Sequence, residues 1–175
     1  GIPLEDRVKM AKGSLQAMSL TENFARVVMI VGHGSTSVNN PHASGLDCGA
    51  CAGQSGEANA KVAALILNDK EVRSQLAEQK IYIPDTTYFL ACLHDTTTDE
   101  VSLFNTSLVP ASHQEDLENI KQRIAQAGKA SRSERVLRMN IKEGKDVDAF
   151  IKLRAKDWSQ VRPEWGLAGC SSFVV

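Results

Sequence analysis

An apolar run that empties into a loop of glycine, histidine and cysteine constrains this chain more than any other feature. Phe24-Ala25-Arg26-Val27-Val28-Met29-Ile30-Val31 is rich in β-branched residues and nearly free of charge. A continuous run of this length predicts a strand covered on both faces, as in a parallel sheet. Gly32-His33-Gly34-Ser35-Thr36-Ser37 follows, and then turn-forming residues without periodicity as far as Gln54. The resulting loop of about 23 residues is longer than a bare connection needs, and loops of that kind are functional or disordered. Ligands of open α/β sheets settle beyond the carboxyl ends of the strands. Here that position holds His33, His42, Asp47, Cys48 and Cys51.

The rest of the chain supplies the partners of such a strand. Pro3 followed by Leu4, Val8, Ala11, Leu15 and Met18 predicts one amphipathic helix, with Pro3 near its first turn. Ala60, Ala63, Ala64 and Leu67 predict another from Ser55, and a further helix or turn starts at Asp69 with Val72 and Leu76. Thr86 to Leu93 reads as a second strand, ending in the polar His94-Asp95-Thr96-Thr97-Thr98-Asp99; a short strand at Val101 to Phe104 is compatible with the pattern. Ser112-His113-Gln114-Glu115 has the form of a capping box, opening a helix to about Ala127 that Gly128 interrupts and Ser131 to Met139 resumes. Asp146 is placed to cap one more helix to about Ala155, and the tail from Trp158 is irregular before a strand-like Ser172-Phe173-Val174-Val175. Strands alternating with helices predict an α/β fold, a parallel or mixed sheet with covering helices, in a single domain over residues 1–175.

Composition narrows the function classes. A formal net charge of −1 argues against a nucleic-acid surface. Lys129, Arg132, Arg135 and Arg138 stand at near-helical spacing and read as a solvated face. No apolar run approaches the roughly 20 residues of a membrane span, and the start of the chain lacks a secretory apolar core, so a soluble protein is expected. Four cysteines, Cys48, Cys51, Cys92 and Cys170, are too few and too uneven for a disulfide framework. Cys92 lies in an apolar strand and reads as core.

Several chemistries compete for the first loop. Imidazole nitrogen and thiolate sulfur are preferred zinc donors. His33 is also compatible with a satisfied polar residue near the core. Cys48 and Cys51 form a Cys-x-x-Cys pair, which suits metal ligation or a redox dithiol, although a redox dithiol is expected at a helix start directly after a strand. Gly32 to Thr36 has the look of a phosphate-cradling turn but lacks the lysine and spacing of a P-loop. Ser35 and Ser37 have no base beside them for hydrolase chemistry. His94, Asp95 and Asp99, beyond the second strand, read first as capping and turn residues.

The segment from Gly32-His33-Gly34-Ser35-Thr36 through Asn39-Asn40-Pro41-His42 to Leu46-Asp47-Cys48-Gly49-Ala50-Cys51 resembles the signature of the DabA family, large bacterial inorganic-carbon-accumulation proteins. Gly53 to Asn59, His94 to Asp99 and Val161-Arg162-Pro163-Glu164-Trp165 to Cys170 agree with it, so the resemblance spans nearly the whole chain. It implies a zinc site like that of β-type carbonic anhydrases, in which a Cys-x-Asp-x-Arg segment precedes a His and a Cys supplied later. The later pair maps onto His33 and Cys48. No Cys-x-Asp-x-Arg occurs in these residues. The chain is therefore expected to be the C-terminal part of the catalytic domain of a longer protein, with its catalytic residues upstream.

On this resemblance the parent hydrates carbon dioxide to bicarbonate with Zn2+ held in part by His33 and Cys48, and Asp47 or Asn39 would steady the ligands. The partner implied is a proton- or cation-conducting membrane subunit, and the location the cytoplasmic face of the cell membrane, as a peripheral protein. The fragment alone is expected to be inactive. A structural zinc module completed by Cys51 or His42, or a Cys48–Cys51 redox dithiol, remains the alternative.

Overall fold

The computed structural model describes residues 1–36, 38, 54–137, 139 and 146–159. Helix α1 runs over Leu4–Ala17, with Pro3 at its N-cap and Glu5 and Asp6 beside the positive end of the helix dipole. Strand β1 is Val27–Gly34, followed by α2 (Glu57–Asn68) and α3 (Lys70–Glu78). Strand β2 (Tyr88–Asp95) leads into β3 (Glu100–Leu103). Two short 3-10 turns, Thr106–Leu108 and Ala111–His113, precede the long helix α4 (Gln114–Val136), and α5 is Val147–Lys156. Among the described residues no helix is long and apolar enough to cross a membrane.

The sheet has the order β1-β2-β3, with β1 parallel to β2 and β3 antiparallel to it. The predicted α/β class with a mixed sheet and covering helices is what forms. Alternation along β2 sends Phe89 and Ala91 to one face and Leu90 and Cys92 to the other. The first face is covered by α1, α2 and α3 through Val8, Leu15, Ala60, Ala64, Leu67, Val72 and Leu76, with Val28 and Ile30 of β1 joining it. The second gathers Val109 and Leu117 at the start of α4, with Val27 and Met29 of β1. Alanines at 60 and 64 let α2 lie close on the strands. Phe24, expected in β1, instead stands edge-on to Phe89 at 6.1 Å between centroids.

Caps read from the sequence form where the chemistry is local. The Asp69 carboxylate accepts from the N–H groups of Glu71 and Val72 and pairs with Arg7 of α1, which joins α3 to α1. Asp146 accepts from Asp148 and Ala149.

Four expectations need correction. The capping box at Ser112 does not form: its hydroxyl bonds to His113 Nδ1, because the chain enters α4 through a 3-10 turn that points it elsewhere. Gly128 does not interrupt α4, which runs unbroken for 23 residues. The glycine is needed for approach, since a Cβ there would stand 2.5 Å from the Asp99 carbonyl oxygen. Arg132 and Arg135 are not on a solvated face: they are 5% and 4% exposed and turn inward to carboxylates and carbonyls. Arg138 lies outside the described residues. Finally, the strand is shorter at its start and less enclosed than its apolar run predicts: β1 begins at Val27, reaches the cores on both faces only half-buried through Val27 to Ile30, and is an edge strand among the described residues, with Val31 47% exposed.

Candidate functional site

The parallel pairing of β1 and β2 brings their carboxyl ends together, His33 beside His94 and Gly34 beside Asp95. Alternation puts His33 in line with Val27 and Met29, and His94 in line with Leu90 and Cys92, so both imidazoles belong to the α4 face of the sheet. His33 is exposed at the strand end. Its main chain is held from the far side of the loop: the Gly56 N–H donates to the His33 carbonyl at 2.8 Å. That contact demands two glycines. A Cβ on Gly32 would meet the Gly56 carbonyl oxygen at 2.3 Å, and one on Gly56 would meet the His33 nitrogen at 2.8 Å.

The near end of the loop is held by the turn that joins β2 to β3. The Thr96 N–H and hydroxyl both donate to the Gly34 carbonyl, at 2.9 and 3.1 Å. The Thr36 N–H donates to Thr97 Oγ1 at 3.2 Å, and the Thr36 hydroxyl to Asp95 Oδ2 at 2.6 Å. Further on, the Val38 N–H donates to the Ala155 carbonyl of α5. The described residues on either side of the segment, Gly34 to Thr36 and Gly56, are thus tied to the same end of the sheet.

The turn itself rests on α4. Asp95 Oδ1 accepts from the N–H groups of Thr97 and Thr98, and the Asp99 N–H donates to the Asp95 carbonyl. The turn duty expected of Asp95 is thus met. Asp99 sits at φ 55°, in the left-handed region that Asp tolerates better than most residues. Its carboxylate is buried between His94 Nε2 at 3.1 Å and Arg135 Nη2 at 2.6 Å. Burial pushes that carboxyl up, but the His94 hydrogen bond and the Arg135 charge outweigh it and hold it below the usual range. Arg135 Nη1 also donates to the Thr97 carbonyl, and Arg132 Nη1 to that of Thr98, while the rest of the Arg132 fork grips Asp148 of α5 at 2.9 and 3.0 Å.

Of the residues singled out from sequence, the structure places His33, His94, Asp95 and Asp99 together at one sheet edge. Cys48, Cys51, His42, Asp47, Asn39 and Cys170 lie outside the described residues. Among the described residues no three of His, Cys, Asp and Glu converge as a metal cluster. Cys92 is core as expected: it is fully buried and burial pushes its thiol up to about 12. Sequence reasoning missed the roles of Thr36, Thr97, Arg132 and Arg135. The helical spacing of Gly128, Arg132 and Arg135, four and then three residues apart, was the available signal.

A parallel strand pair with an antiparallel third strand and covering helices defines the class, an α/β domain with a mixed sheet. The chain belongs to the DabA family: a family model described as "Probable inorganic carbon transporter subunit DabA" matches residues 1–175. Proteins of that name are similar throughout, from Chloroflexus aurantiacus at 57% identity over 174 residues and from Roseiflexus sp. (strain RS-1) at 57% over 175. One from Bradyrhizobium sp. (strain ORS 278) is 54% identical over 174 residues. These alignments cover 99 to 100% of the chain but 21% of each relative, so the chain spans about a fifth of their length. No solved structure matches it.

Proposed function

We propose that this chain is the His33- and Cys48-bearing part of a zinc-dependent, carbonic-anhydrase-like site that hydrates carbon dioxide within a bacterial inorganic carbon uptake protein. The observation that carries the reading is the placement of His33. Its imidazole is exposed at the carboxyl end of a parallel strand, with its carbonyl pinned by Gly56, in a chain of a family named for inorganic carbon transport. The donor set fits the metal, since one imidazole nitrogen and one thiolate are what zinc takes from proteins. When bound, zinc supplies the Lewis acidity that makes water a nucleophile at neutral pH.

His33 and Cys48 bind and orient in this reading and carry no proton. Two ligands leave the set incomplete, so the remaining ligand and the catalytic groups come from the rest of the polypeptide, and these residues alone are inactive. The relatives' name describes a transporter subunit, which supports a multi-component assembly. The partner proposed is a proton- or cation-conducting membrane subunit, with this protein peripheral on the cytoplasmic face of the membrane.

The test is zinc per polypeptide in the full-length protein and in its His33→Ala and Cys48→Ala variants. Near one zinc in the parent, lost from both, is expected; zinc unchanged in the variants would sink the assignment.

A further inference from the structure

We infer that the outer edge of β1 docks one further β-strand, apolar on both faces, supplied by the polypeptide that lies outside these 175 residues. The inference rests on strand geometry and is independent of any metal at His33.

The Arg26 carbonyl accepts the Tyr88 N–H, and the Gly34 carbonyl accepts the Thr96 N–H. In a strand the N–H and C=O of one residue point to the same side, and the side alternates along the chain. Even-numbered positions of β1 therefore bond to β2, while Val27, Met29, Val31 and His33 turn their main-chain groups outward. The His33 carbonyl takes the Gly56 N–H at 2.8 Å. For Val27, Met29 and Val31 there is no outward partner among the described residues.

The far edge of the sheet is treated differently. β3 pairs with β2 only from Cys92 onward, so the start of β2 has no strand on that side among the described residues. Asn68 stands in for one: its amide N–H donates to the Phe89 carbonyl at 2.8 Å, and its oxygen accepts the Phe89 N–H at 3.0 Å. Arg73 Nη2 donates to the Thr87 carbonyl at 2.9 Å. Side chains thus satisfy the main chain of β2 where β3 does not reach, and among the described residues none does so along Val27 to Val31 of β1.

Packing agrees. Val28 and Ile30 join the core beneath α1, α2 and α3, and Val27 and Met29 join the core at the start of α4. Both layers end part-way over β1: these side chains are half-buried, whereas Phe89 to Cys92 in the neighbouring strand are at most 3% exposed. A strand that is apolar on both faces belongs inside a sheet. Natural edges are blunted by charges, proline or a bulge. Val27–Gly34 has no lysine, acid or proline, and its register with β2 is unbroken.

The length of the family proteins points to the occupant. The chain aligns to 21% of each relative, so about four fifths of such a polypeptide is attached to this edge. An attached segment meets its site at an effective concentration that reaches the millimolar range for short linkers, above that of a second copy in solution.

The experiment uses the full-length protein. Hydrogen exchange, resolved to single residues by mass spectrometry, compares the outward amides of Met29 and Val31 with the inward amides of Val28 and Ile30. With a strand docked, the two sets are expected to exchange equally slowly. Fast exchange at Met29 and Val31 beside protected Val28 and Ile30 overturns the inference. The occupant is read by photo-crosslinking of Val31→benzoylphenylalanine in a mixture of isotopically light and heavy protein. The expected product joins position 31 to a peptide outside these 175 residues of the same copy. A product within these residues, or one that joins light to heavy, assigns the edge to this chain's own segments or to a second copy, and either overturns the inference. If the variant fails to fold, photo-methionine at Met29 gives the same readout.

Discussion

Gly128 of α4 faces the Asp99 carbonyl so closely that a Cβ would stand 2.5 Å from that oxygen. In an exposed helix interior, Gly→Ala stabilises by about 1 kcal/mol. At Gly128 the sign reverses: the neighbour is main chain in a turn held by two arginines and cannot yield. Gly128→Ala is expected to destabilise by about 1 to 3 kcal/mol. Gly13 of α1 has nothing within 4 Å of its added Cβ, so Gly13→Ala should stabilise in the ordinary direction. Urea unfolding of the two variants side by side checks the contrast, and two shifts of the same sign would contradict it.

Removing one partner of a buried ion pair costs more than the pair contributes. Arg135→Ala leaves the Asp99 carboxylate buried beside His94 and also vacates the Thr97 carbonyl. A loss of about 3 to 5 kcal/mol is expected, and Asp99→Asn in the Arg135→Met background should recover part of the corresponding loss. A double-mutant cycle on unfolding free energies measures the coupling; additivity would mean that the two side chains do not depend on each other.

Acid should loosen the molecule in a defined window. Among the described residues three carboxyls are held below their ordinary range. At Asp69, burial pushes up, but the Val72 and Glu71 N–H groups and the Arg7 charge prevail. At Asp99, burial is outweighed by His94 and Arg135, and at Asp148 the Arg132 hydrogen bond leads. A depressed folded pKa contributes stability that is fully present above the unfolded value, about 4, and is lost as pH falls through the folded one. Unfolding free energy should therefore drop as pH goes from 5 to 3, and Asp148→Asn should flatten the slope. Stability that rises over that interval would contradict the sign.

Cys92 should resist thiol reagents in the folded protein. It is fully buried, with a thiol pushed up to about 12, so almost no thiolate is present at pH 8. Mass spectrometry after iodoacetamide is expected to find Cys92 unmodified until denaturant is added. Native-state labelling comparable to that after denaturation would show that the strand opens.

The amino-acid sequence by itself determined what short-range chemistry can decide. Asp69 and Asp146 cap helices because a carboxylate needs only its own next residues to do so. The apolar stripe of α1 and the alternation of β2 follow from periods of a few residues, and the order of strands and helices gave the class. The motif after β1 carried the family. Tertiary structure decided what depends on distant partners. Ser112 offered a capping box, but its hydroxyl went to His113 because of the turn before α4. Gly128 reads as a helix breaker until Asp99, 29 residues earlier in the chain, is found against it. Arg132 and Arg135 read as solvated charges until the β2–β3 turn supplies carbonyls and a carboxylate, because local spacing says which residues share a helix face but not what that face meets. The pairing of His33 with His94 has the same origin. Register between strands 61 residues apart is set by the packing of both sheet faces at once, and no local pattern contains it.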